Sequence, residues 1–183
     1  MNFRDAFDKY LLDTMSKVCP CTGSEVVPDA DIARRIVDAS GILPPHSRLE
    51  NIKSAFTTEG VVGPPVYGDG IAEFQQGSRQ HRFELARWPA FEFAIWVTPS
   101  ASAWGHSFVR RAGVEGSVIS GLDNLSRWSH VLTEVVRALG PPTESEEWFP
   151  WTAITYPTHF SDVSLCFVFG LLQCSEAHDA TRT

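Results

Sequence analysis

The 183-residue chain has no apolar run of the length a membrane helix needs. Its longest, Val163 to Cys174, is interrupted by Ser164, Gly170 and Gln173, whereas a spanning helix takes about 20 apolar residues. No secretory or transit segment is visible either. Met1-Asn2-Phe3-Arg4-Asp5-Ala6-Phe7-Asp8-Lys9 scatters charges where a signal peptide is apolar. Cysteine is scarce: Cys19, Cys21, Cys166 and Cys174 are the four thiols. In a chain of this size without an export signal, they are expected to be reduced rather than to form a disulfide framework. A cytoplasmic protein that does not cross a membrane is the resulting expectation.

Basic charge is in short supply as well. Fifteen Lys and Arg stand against 22 Asp and Glu, a formal charge of −7. Residues 121–183 carry eight of the acids and three of the bases, so most of the excess lies in the last third. An acidic surface with no basic stripe repels phosphate backbones, which argues against nucleic-acid binding and favours a basic protein partner.

What is present suits one folded domain. Apolar residues make up 43% and charged ones 20%, and a chain this long buries roughly 70% of its unfolded surface. Six Trp and twelve Phe are the unusual part of the composition. The spacing of Phe3, Phe7, Tyr10, Leu11 and Val18 predicts a helix over about Asn2–Val18. A second helix is expected from Asp29 or Asp31, with Ile32, Ile36 and Val37 inward and Gly41 as its stop. Ser47-Arg48-Leu49-Glu50 has capping-box spacing ahead of Leu49, Ile52 and Phe56, which predicts a third.

The period then changes to two. His81, Phe83 and Leu85 alternate, as do Phe91, Phe93, Ile95 and Val97 after a Trp88-Pro89-Ala90 turn, and Trp104 to Arg111 reads as a third antiparallel strand. Leu125, Trp128, Val131, Leu132, Val135, Val136 and Leu139 follow 3–4 spacing and predict one long helix ended by Gly140-Pro141-Pro142. Strands are expected through Tyr156 and from Val163 to Leu172, and residues 175–183 as a disordered polar tail. The whole predicts a single α+β domain over 1–174, with N-terminal helices and one long helix of the C-terminal half packed on a mainly antiparallel sheet.

Motifs of known chemistry are missing. Cys19 and Cys21 are one residue apart with no matching second pair, and Cys166 and Cys174 read as small apolar residues of one strand face, so no metal is expected. His46, His81, His106, His130, His159 and His178 show no paired ligand spacing. There is no Gly-x-Ser-x-Gly elbow. Gly68-Asp69-Gly70-Ile71-Ala72-Glu73 lacks the third glycine of a dinucleotide loop. No catalytic residue and no cofactor are therefore assigned. What stands out is Glu144, Glu146 and Glu147 directly before Trp148, Phe149 and Trp151. Buried aromatics behind a solvated acidic loop would explain the run. The sharper reading is a contact patch: Trp anchors an interface and carboxylates steer a basic partner. The candidate partner-binding residues are Glu144, Glu146, Glu147 and Trp148, with Trp104 as a further one.

The organisation resembles that of small immunity proteins of bacterial polymorphic-toxin and contact-dependent inhibition systems. The residues carrying the resemblance are Phe91-Glu92-Phe93-Ala94-Ile95-Trp96 and the helix ending Leu139-Gly140-Pro141-Pro142, followed by Trp148. It implies a single-domain acidic, non-enzymatic inhibitor that binds a toxin domain and blocks its active site or its activation. The alternative is a small hydrolase with a fold-assembled His and carboxylate, for which His106 and Asp69 are the candidates.

Overall fold

Helix α1 (Phe3–Val18) begins where Asn2 accepts the Asp5 backbone N–H on its side-chain oxygen at 2.8 Å, satisfying one of the free donors of the first turn. Asp5 in that turn and Lys17 in the last one oppose the ends of the helix dipole. Its buried face carries Phe7, Leu11 and Met15, four residues apart. The chain is known from a computed structural model that describes residues 1–19, 26–40, 79–97 and 103–179. The helix expected around Leu49 to Phe56 lies outside them. Over the described residues the architecture is α+β, with three helices and two antiparallel sheets. Contacts group the chain into two units: residues 1–13 with 26–111, and 14–25 with 112–183.

The first unit holds most of α1, helix α2 (Ala30–Ser40) and a sheet of β1 (Arg79–Glu84), β2 (Phe91–Val97) and β3 (Ala103–Arg110), with β2 central. In α2 the buried stripe is Ala33 and Val37, and Ile32, expected to face inward, is 47% exposed. The register Phe83↔Phe93↔Phe108 sets three rings in a row across the sheet. Phe7 of α1 meets Phe93 edge to face, with centroids 5.1 Å apart. Central β2 buries its alternate face too: Ala94 is fully covered, and Glu92 is buried with its carboxylate 3.6 Å from Arg82. A charge taken out of water needs such a partner.

The second unit is a four-stranded meander of β4 (Glu144–Trp148), β5 (Trp151–Pro157), β6 (Ser161–Val168) and β7 (Leu171–Asp179), in that order. Phe169 and Gly170 join β6 to β7, and both have positive φ, the backbone that a two-residue hairpin requires. Ile154, Tyr156, Leu165, Phe167 and Leu172 form the core on one face, and Val135 of helix α3 (Leu132–Leu139) completes it.

Three expectations change here. The long helix is absent, because α3 starts only at Leu132, after a short 3-10 turn at Leu122–Asn124. Trp128 has a φ of 61°, incompatible with a helix, and residues 128–132 are taken up by β7 instead. Trp128 N–H donates to Leu172 O, Leu172 N–H to His130 O, and Leu132 N–H to Gly170 O, at 2.8, 3.0 and 2.8 Å. Leu125, Leu132, Val136 and Leu139 still pack on the core, so the apolar spacing is used without continuous helix. The helix does end as expected at Gly140, whose φ of 85° suits a glycine stop. The acidic run is a strand, β4, rather than a loop. Ser175 to Asp179, expected in a tail, extend β7 because β6 supplies partners as far as Ser161↔Asp179.

Candidate functional site

Strand β4 places four of the five candidate residues on one edge of the second sheet. Every one of its residues is exposed. The register Glu144↔Thr155, Glu146↔Ala153 and Trp148↔Trp151 sets those three side chains on one face of the sheet. Ser145 and Glu147 pair with Ile154 and Thr152, so they project from the opposite face, the side of the core. The acidic run read as one patch is therefore divided: Glu144 and Glu146 accompany Trp148, and Glu147 does not. Trp104 sits in β3, in the first unit.

The tip of the β4–β5 hairpin is aromatic. Trp148 is 56% exposed and tilts over Trp151 with centroids 5.4 Å apart. Phe149 is 65% exposed and stands edge to face on buried Phe169 at 5.6 Å. A Phe149–Pro150 cis peptide forms the turn. Large apolar rings in water beside carboxylates are the arrangement of an interface anchor with a polar rim. Among the described residues none of the three glutamates has a cationic partner. Their charge is left to act outward. A strand edge exposes unpaired backbone groups, and three carboxylates on it discourage pairing with a second copy.

The alternative pair fares differently. His106 is buried in the first unit, its ring stacked on Phe93 at 6.2 Å, and Asp69 lies outside the described residues. A different histidine meets a carboxylate. Exposed Ser117 has its hydroxyl 3.1 Å from His130 Nε2, and His130 Nδ1 lies 3.6 Å from Glu134 Oε2. His130 itself is 1% exposed. The order hydroxyl, imidazole, carboxylate matches the logic of an activated serine. Glu134 also accepts the Val131 N–H at 3.1 Å, so the carboxylate caps α3 while it faces the ring. The i, i+4 spacing of His130 and Glu134 was visible in the chain, whereas Ser117 joins them only through the path of residues 112–131.

The thiols also converge. Cys166 and Cys174 are direct cross-strand neighbours on the face shared by Glu146 and Ala153. Cys19, just past α1 and wholly buried, brings its Sγ to 3.7 Å from that of Cys174. Cys19 and Cys166 are thiols outside any disulfide and Cys174 is held in one, against the expectation that all four are reduced. Hydrogen bonding to Cys19, and then burial, hold the Cys166 thiol far above its ordinary range. Among the described residues no helix is long and apolar enough to cross a membrane. No protein family, curated protein or solved structure matches the chain.

Proposed function

We propose that the protein is a non-enzymatic, protein-binding inhibitor acting in the bacterial cytoplasm, of the immunity type, that neutralises a toxin domain by direct binding. The observation that supports this most is the exposed edge β4, where Glu144, Glu146 and Trp148 share a face beside exposed Phe149. The ring of Trp148 anchors the partner, and the unpaired carboxylates draw in its basic surface and orient it. Association-rate measurements against the toxin recovered with the protein from its native host test the reading. Glu144→Lys combined with Glu146→Lys slows association at low salt by about tenfold or more, because steering of this kind is worth about 10–1000-fold. Glu147→Lys alone, on the other face, changes it much less. Unchanged association in the double variant removes β4 as the contact.

A second reading, that of a small hydrolase, is favoured by Ser117, His130 and Glu134. It rests on described residues in place of His106 and Asp69, the latter lying outside them. A fluorophosphonate probe that labels the wild type and spares Ser117→Ala supports it. Equal labelling of both, or none of either, rejects it.

A further inference from the structure

Cys19, Cys166 and Cys174 come from the end of α1 and from two neighbouring strands, and all belong to the second unit. Their Sγ atoms lie within 4.8 Å of one another. Zinc bound by thiolates has Zn–S bonds of about 2.3 Å, and a tetrahedral arrangement then sets its sulfurs about 3.8 Å apart. The Cys19–Cys174 edge, at 3.7 Å, already has that length. The register shift between Cys166 and Phe167 gives this corner a local bend that a regular ladder lacks, and such bulges re-aim side chains.

We propose that the reduced protein holds a zinc ion through the thiolates of Cys19, Cys166 and Cys174. Three sulfur ligands select a soft, tetrahedral ion over magnesium or calcium, which take oxygen. The fourth position is left to a water molecule. Complete burial of Cys19 and partial burial of the other two shield the ion, which clasps the end of α1 to β6 and β7. Sequence spacing alone argued against it, because only one ligand comes from the Cys19–Cys21 pair.

The disulfide of Cys174 and the metal exclude each other. A dithiol reductant passes two electrons and two protons to that disulfide, is itself oxidised to a cyclic disulfide, and releases Cys174 as a thiol. Zinc then binds the three sulfurs as thiolates and displaces one proton from each.

Full-length protein, reduced with a dithiol and desalted without oxygen, is titrated with cobalt(II) and then with zinc. The expected result is about one cobalt per chain, with thiolate-to-cobalt charge-transfer bands and the strong visible bands of a tetrahedral site, both erased by zinc. Cys166→Ser and Cys174→Ser, at half-buried positions, lower zinc affinity by about 100-fold or more, since even outer partners of a ligand are worth about 10–100-fold. Oxidation before titration abolishes binding. Absence of charge-transfer bands in the reduced wild type overturns the proposal, as does wild-type zinc affinity in both variants. If the variants fail to fold, the spectrum of the wild type decides by itself.

Discussion

Phe160 directly precedes β6 and Phe167 lies near its end; they are chemically identical, yet Phe160 is 91% exposed and Phe167 is 0% exposed. Replacing each by alanine separates burial from residue type. An aromatic side chain offers about 200 Å², and about 25 cal/mol is gained for each Å² removed from water. Phe167 is then worth about 5 kcal/mol at most and Phe160 about 0.5 kcal/mol. A compact denatured state lowers the first figure by roughly 10–40%, and the cavity left among Ile154, Tyr156, Leu165 and Leu172 raises it again. Phe167→Ala should therefore cost about 3–5 kcal/mol, a large share of the roughly 5–15 kcal/mol that holds a domain folded. Urea unfolding followed by circular dichroism measures the loss. Hydrogen exchange in peptides of β5 to β7 assigns it to the second unit, because two units need not unfold together. A loss below about 1 kcal/mol for Phe167→Ala, or above about 1.5 kcal/mol for Phe160→Ala, refutes this account of the core.

Asp8 is buried, and desolvation, outweighing the N–H groups of Arg87 and Ala86 and the charge of Arg4, raises its pKa above 3.8. A carboxyl that holds its proton more tightly when folded stabilises the fold at low pH, and that stability is lost as pH rises through the folded pKa. Asp8→Asn should show a flatter stability profile from about pH 4 upward and gain on the wild type toward neutral pH; parallel profiles in denaturant titrations would contradict this. Arg34 lies 2.6 Å from the nearly buried carboxylate of Asp13 and is itself 41% exposed. Arg34→Ala should cost about 1–2 kcal/mol in urea unfolding, below the cost of breaking a fully buried pair because solvent screens the arginine; no measurable loss would show that Asp13 does not depend on it. Glu134→Ala removes the acceptor that caps α3 and should cost about 0.5–2 kcal/mol, whereas Glu134→Gln keeps an acceptor and most of the stability. Equal losses in thermal melts would rule out the cap as the cause.

Local pattern was enough where one physical signal dominated. The helix over 3–18, the alternation in 91–97, the three strands of the first sheet and the stop at Gly140 were all legible, because period and glycine conformation act over a few residues. Leu125 to Val131 have helical spacing as convincing as that of α1, but the Trp128 N–H and the His130 carbonyl are claimed by Leu172 of β7, which arrives about 40 residues later in the chain. Glu144, Glu146, Glu147 and Trp148 stand out in the chain as a run of charge beside an aromatic. Whether that run was loop or strand, and which of its members share a face, followed from the pairing with β5.

The scarcities of the composition divide in the same way. Acidic excess in the last third, and the lack of a long apolar run, belong to composition and needed no fold. The meaning of four cysteines did need it. Their spacing excludes every common zinc pattern, yet folding brings three sulfurs within 4.8 Å. Spacing in a chain constrains only ligands that lie close in sequence, and a site assembled from the end of α1, β6 and β7 is set by pairing and packing across about 150 residues. Ser117, His130 and Glu134 meet for the same reason, through a backbone path the chain's periodicity does not show.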